Sequence, residues 1–287
     1  MFKYSDLLQE IDKFNILGVE TGTIGDSALG QRIPYIFVGK KNEYSMIVQG
    51  AIHAREHITA LLIVNQAKFL VKRQNLLMRG GIYFVPMANP DGVRLCQEGL
   101  GWIEDKKLRQ RLREIAGGND FSQWKANANG VDLNVNFDAK WAKGKENVFY
   151  PRFADYVGKA PESEAETQNL VRFTNSVNPV CTISYHTKGE VVFWRFNQPK
   201  AKLWHDYRLA KAIAGELGYK LGDGSGSAGG YKDWCIEKKG ITAFTIEVGS
   251  DNYEYPYPYS DFLRIYRPNR DIPRRVLNYL VKEKEKV

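Results

Sequence analysis

Residues 44–60, YSMIVQGAIHAREHITA, set an apolar run directly against two histidines, a glutamate and an arginine. Within it, 45–52 predict a buried strand: Met46, Ile47, Val48 and Ile52 are apolar, and Gly50 leaves room near the end. His53 and Glu56 follow where that strand stops, three residues apart. Neutral imidazole nitrogen and carboxylate oxygen both suit Zn²⁺, whose catalytic sites take three protein ligands and keep one position open. A third ligand has to come from another part of the chain.

The chain holds four histidines, His53, His57, His186 and His205, so the search is short. His186 closes the run 180–185, VCTISY, which predicts a strand, and 241–246, ITAFTI, delivers Glu247 in the same manner. In open α/β sheets the site lies in the crevice beyond the carboxyl ends of the strands. A lone histidine after a strand is more often structural than a ligand. Three strand ends carrying His, His and Glu together point instead to a zinc site. A second arrangement stays open, because HAREH also fits H-x-x-E-H, with His53 and His57 ligating from one helix and Glu56 as base. It leaves His186 and Glu247 idle.

HARE at 53–56, NPDG at 89–92, GVDLN at 130–134, SYHTKGE at 184–190 and TIEVG at 245–249 occur in that order. Together they resemble the zinc metallocarboxypeptidases of the M14 type, over almost the whole chain from residue 4 to the last helix. The resemblance implies that His53, Glu56 and His186 hold one Zn²⁺. It implies that Glu247 is the general base, taking a proton from the attacking water and handing it to the leaving amine. The expected reaction is amide hydrolysis without a covalent intermediate. Asp132 is expected against His53, because a ligating histidine usually donates its other N–H to a carboxylate. NPDG is expected as a tight turn in the floor of the site.

Departures from the family pattern bear on the substrate. Family members that trim ordinary peptides carry Asn-Arg after GVD-x, the arginine gripping a free C-terminal carboxylate; here the pair is Asn134-Val135. They also carry a transition-state arginine shortly before GVD-x, and 124–129, WKANAN, has none. Arg55 and Arg94 are the candidates to replace it. Ser225 stands where the family has its mobile tyrosine, and Lys232 aligns with the lining of the pocket for the residue after the cut. SYHTKGEVVFWRF at 184–196 and WKANANGVDLN look closer to a bacterial branch, the γ-D-glutamyl-diaminopimelate peptidases. Their cell-wall peptides carry carboxylates, and Arg55, Asn134, Lys188 and Lys232 are the expected substrate contacts. The expectation is therefore a zinc metallopeptidase acting on a peptide or muropeptide. Its rivals are a general peptide metallocarboxypeptidase and a catalytically weakened, zinc-containing peptide-binding protein.

At 287 residues, 43% hydrophobic and 13% aromatic, the chain can bury one large core. Strands alternating with helices predict an α/β/α sandwich around a mixed, twisted β-sheet, as one peptidase domain over 1–287 with a polar insert at 98–128. Helices are expected at the N-terminus and at 59–77, 161–177, 202–217 and 270–284, with His205 a surface or packing histidine. The acids opening 161–177 are expected as charges that complement the helix dipole. GDGSGSAGG at 222–230 is expected as a mobile wall or lid.

The N-terminal stretch MFKYSDLLQEIDKF lacks the apolar core of a secretory signal, and no run is long enough to span a membrane, so a soluble, cytoplasmic protein is expected. Cys96, Cys181 and Cys235 form no metal-like spacing and suit a reducing compartment. Lys and Arg number 41 against 33 Asp and Glu, giving +8. Because the cations are spread among acids, with KKLRQRLR at 106–113 expected as a solvated helix face, this charge suits an anionic small substrate rather than nucleic acid.

Overall fold

The computed structural model describes residues 1–41, 44–224 and 226–285. Its centre is β3 (Ser45–Gly50), whose residues face alternately to the two sides of a sheet. Met46 and Val48 pack with Leu7 of α1 (Tyr4–Ile16), Leu62 of α2 (Ile58–Val71), Leu209 of α6 (Lys200–Leu217) and Val276 of α9 (Ile272–Lys284). Ile47 enters a second core with Leu170 of α5 (Ala165–Val177) and Trp234 of α7 (Tyr231–Lys239). Both faces of the strand are therefore apolar, and helices cover both. The α/β/α sandwich is as expected.

The other strands are β1 (Thr21–Asp26), β2 (Arg32–Gly39), β4 (Gly81–Val85), β5 (Cys181–Thr187), β6 (Val191–Phe193), β7 (Lys220–Gly222) and β8 (Thr242–Val248). They form one eight-stranded mixed sheet in the order β1-β2-β4-β3-β5-β8-β6-β7. β4, β3, β5 and β8 run parallel, while β2 joins β4 and β6 joins β8 antiparallel. From β3 the chain first builds β4 on one side, then returns with β5 on the other. That reversal leaves a crevice beyond the carboxyl ends of β3 and β5, where such sheets place their ligands. Gly80 makes the β3–β4 pairing possible. Its φ is +85°, a Cβ there would lie 1.8 Å from the Tyr44 carbonyl oxygen, and Gly81 N–H donates to that oxygen at 2.8 Å.

Several expected boundaries shift. The strand expected to reach Ile52 ends at Gly50, and Ala51 turns out of the sheet with φ +47°. The helix expected over 59–77 is α2 followed by a 3₁₀ turn at Gln74–Leu76. NPDG is a helix start rather than a reversal. Asn89 caps α3 (Pro90–Glu98), its side chain accepting from Gly92 N–H at 2.9 Å, and Pro90 fills the first turn where no N–H is needed. The polar insert contains α4 (Lys106–Ala116), capped by Asp105, with most of its basic side chains exposed as expected. Leu112 nevertheless joins Phe121 and Trp124 in a buried cluster, so the insert carries part of the core.

α5 starts at Ala165, four residues later than expected; α7 and α8 (Phe262–Asn269) were not anticipated. His205 is a packing histidine, joining Asp206 and Glu283 of α9 at 2.9 Å each. The three cysteines are free thiols, Cys181 and Cys235 buried. Among the described residues no helix is long and apolar enough to cross a membrane.

Candidate metal centre

Past β3 the chain makes a 3₁₀ turn, Ala54–Glu56, which folds the Glu56 side chain back towards His53. Thr59 locks the turn: its hydroxyl accepts from Ala51 N–H and donates to the Glu56 carbonyl, both at 2.8 Å. His53 Nδ1 then lies 2.9 Å from Glu56 Oε1. From β5, His186 Nδ1 reaches 3.0 Å from Glu56 Oε2 and 3.1 Å from His53 Nδ1. Candidate ligand atoms of these three buried residues all lie within 4.8 Å of one another.

The donor set fits a zinc ion. Two imidazole nitrogens and one carboxylate converge on one point, which is the ligand chemistry of catalytic zinc. Negative charge gathers around the same point. Burial would lower the His53 pKa, yet the Glu56 and Asp132 carboxylates push it up to about 9. His57 takes no part, because its Nδ1 pairs with the Tyr259 hydroxyl at 2.8 Å and the two rings stack. The H-x-x-E-H arrangement on one helix is thus not formed: His53 precedes the 3₁₀ turn, and His57 faces elsewhere.

Asp132 stands behind His53, its Oδ1 3.1 Å from His53 Nε2. It also caps the 3₁₀ turn Leu133–Val135, accepting from Asn134 N–H at 3.0 Å. Its Oδ2 meets Lys125 Nζ at 2.7 Å, and the same ammonium reaches Asp155 Oδ1 at 2.9 Å. Burial opposes both charges. Lys125 and His53 nevertheless hold the Asp132 carboxyl well below its ordinary range, and the two aspartates hold the Lys125 ammonium above its own. WKANAN holds no arginine, and its one cation is this lysine beside Trp124. Arg94 is directed elsewhere, to Gln31 and Glu98, with its guanidinium over the Trp102 ring.

Glu247 is the register partner of His186 across the β5–β8 ladder. Among the described residues its buried Oε2 has no hydrogen-bond partner, and burial together with the Glu56 charge pushes its carboxyl well above the ordinary range. Beside it opens a cavity of about 120 Å³, lined by Asn134, Phe193, Lys232, Asp233 and Thr245 among others. Lys232 is not a free cation there, since its ammonium pairs with Asp233 Oδ1 and donates to the Arg195 carbonyl at 3.2 Å. Arg55 and Lys188 meet on one ring, that of Tyr255, at 4.1 and 5.5 Å from its centroid. Lys188 Nζ also donates to the Asp251 carbonyl at 3.0 Å. Ser225 lies outside the described residues, so its expected place in the glycine-rich loop has no structural counterpart here.

The glutamates expected as dipole charges have another task. Glu164 and Glu166 both accept from the buried Asn127 amide, at 2.8 and 3.2 Å, and Ala28 N–H donates to Glu166 at 3.1 Å. Burial pushes the Glu166 carboxyl up to about 7, and the neighbouring Asp91 up to about 6. A carboxyl raised on folding binds its proton more tightly in the folded state. Its contribution to stability is complete below the unfolded value near 4.5 and is lost as pH rises through about 7. At ~1.4 kcal/mol per unit, on the order of 3 kcal/mol is at stake. Urea unfolding of the wild type should weaken between pH 5 and pH 8 more than that of Glu166→Gln. Parallel pH profiles for the two proteins would refute this role.

The zinc carboxypeptidase family model, Peptidase_M14, matches residues 6–271. Gamma-D-glutamyl-L-diamino acid endopeptidase 1 of Lysinibacillus sphaericus is 32% identical over 284 residues, covering 93% of this chain and 69% of that protein. Carboxypeptidase B of Rattus norvegicus is 26% identical over 266 residues, covering 84% of this chain and 60% of its own length. In fold, the chain resembles bovine thrombin-activatable fibrinolysis inhibitor, solved with tick carboxypeptidase inhibitor. The TM-score is 0.77 at 22% identity, over 98% of this chain and 96% of that one.

Proposed function

The chain belongs to the zinc carboxypeptidase family of metallopeptidases, and from that premise we propose that it hydrolyses the amide bond between a γ-D-glutamyl residue and a diamino acid, meso-diaminopimelate, in cell-wall peptides. The observation that carries the reading is the Lys232–Asp233 pair on the wall of the cavity beside Glu247. A lone lysine would favour a plain anion. A touching ammonium and carboxylate instead complement a side chain that ends in both charges, as the far end of diaminopimelate does. A purely apolar side chain would bury that pair with nothing to exchange for its hydration. Val135 fits the same reading, for it packs beside Val131 and Tyr156 and offers no charge to a free C-terminal carboxylate. The Lysinibacillus sphaericus relative, named for a γ-D-glutamyl-L-diamino acid bond, supports it independently.

In this mechanism His53, Glu56 and His186 hold the zinc ion, which when bound supplies a Lewis acid for the scissile carbonyl and for water. Glu247 takes the proton of the attacking water and delivers it to the departing amine. As the register partner of His186, this carboxylate is placed beside the candidate ligands for both duties. Asp132 fixes the His53 ring by accepting at Nε2. Asn134, Lys232 and Asp233 seat the residue after the cut, and Arg55 with Lys188, gathered on Tyr255, border the site on another side.

The test is parallel incubation of the zinc-loaded protein with L-Ala-γ-D-Glu-meso-diaminopimelate and with an all-L peptide, the products followed by mass. Release of diaminopimelate from the first alone is expected. Cleavage of the all-L peptide alone would replace the reading with an ordinary carboxypeptidase, and cleavage of neither would favour a peptide-binding protein.

A further inference from the structure

Asp132 is wholly buried, and four groups surround its two oxygens. Oδ1 faces Asn134 N–H at 3.0 Å and His53 Nε2 at 3.1 Å; Oδ2 faces Lys125 Nζ at 2.7 Å and Asp155 N–H at 3.3 Å. The ammonium is the shortest and the only cationic of the contacts on Oδ2. Without it that oxygen keeps only the long Asp155 N–H contact, and the carboxylate plane loses what stops it rotating away from His53.

Lys125 is itself anchored at both ends. Its carbonyl accepts from Ala54 N–H at 3.1 Å, directly after His53, and its own N–H donates to the Phe153 carbonyl at 2.9 Å. Its ammonium is held on the far side by Asp155 at 2.9 Å. One residue thus references the backbone beside His53 and the carboxylate behind it to each other.

We propose that Lys125 is a positioning residue for the metal centre, its ammonium clamping Asp132 so that Asp132 holds the His53 ring in the orientation that presents Nδ1. This rests on the reading of His53 as a zinc ligand. Engaged by two carboxylates, the ammonium acts on the ligand set and leaves substrate binding to other groups. Orienting groups behind a metal ligand typically change metal affinity by about 10–100-fold when removed.

The experiment compares full-length wild type, Lys125→Met, Lys125→Arg and Asp155→Asn. It reads zinc affinity by competition with a chelator, the unfolding midpoint of the metal-free proteins, and kcat and KM separately. Lys125→Met should weaken zinc binding by about 10–100-fold and lower kcat with KM unchanged. Lys125→Arg should recover most of the affinity, and Asp155→Asn should shift it in the same direction by less. Three results would overturn the proposal: wild-type zinc affinity in Lys125→Met, a raised KM with kcat intact, or a lost affinity that arginine does not restore while the metal-free protein unfolds early. A wild type that binds zinc but cleaves no peptide would remove the proposed function and leave this inference standing. A wild type that does not bind zinc would remove both.

Discussion

Zinc-loaded Glu247→Gln is expected to lose about 10²–10⁴-fold in turnover of the γ-D-glutamyl peptide while keeping its metal and its fold. The substitution preserves size, and the backbone at this position is held by the β5–β8 ladder, so the side chain stays beside His186. What disappears is the ability to accept a proton from water and return it to the amine. The amide also lacks the negative charge that burial and Glu56 already make costly here, so the variant should unfold no earlier than wild type. Steady-state turnover, metal content and thermal unfolding of the same preparation check this together. Turnover close to wild type would remove Glu247 from the chemistry. Full loss with zinc retained would dispose of the binding-protein alternative, because a protein that only binds peptide has no turnover to lose.

His186→Ala should abolish both activity and the stabilisation conferred by zinc. A ligand that binds only the folded state adds roughly 2.7 kcal/mol at about one hundred times its dissociation constant. His186 is one of the three side chains proposed to hold the ion, and its removal leaves His53 and Glu56, joined by the short turn Ala54–Glu56. Unfolding of wild type in zinc-free and zinc-containing buffer should therefore differ by several degrees, and that difference should vanish in the variant. His57→Ala is the matched control. It breaks a buried contact with Tyr259 and costs stability, yet the zinc-dependent shift should persist. The opposite outcome, loss of the shift in His57→Ala and its survival in His186→Ala, would reinstate the single-helix arrangement.

The centre was legible because it is written in strand ends. β3, β5 and β8 are near-continuous apolar runs, so their limits could be found, and His53, His186 and Glu247 could be referred to one edge of a sheet. Pairing order could not be read that way, since apolar runs of similar length are interchangeable on sequence alone. β1 is not legible in the sequence because TGTIGD has one buried side chain and two glycines, a pattern that matches a turn as well as an edge strand. NPDG reads as a reversal because proline and glycine serve turns and helix starts alike, and Asn89 acts as a cap only once Gly92 follows in helical geometry. Lys125 and Asp155 lie thirty residues apart and form no motif; only the fold brings their charges together. Lys232 lines the cavity beside Glu247, but its neighbour Asp233 changes what that wall offers.

The ladder joining β5 to β8 runs through all seven residues of each strand, with His186 and Glu247 as partners near its end. Amide protons in such a central parallel pair exchange with solvent only through the largest openings a protein makes. The edge that carries His186 and Glu247 therefore sits in a part of the sheet that opens least readily, and local breathing does little to reshape it for a new ligand. Changes of preference are left to segments outside that ladder, such as the loop carrying Tyr253 and Tyr255. Over evolutionary time such a molecule would keep its reaction and change its clientele.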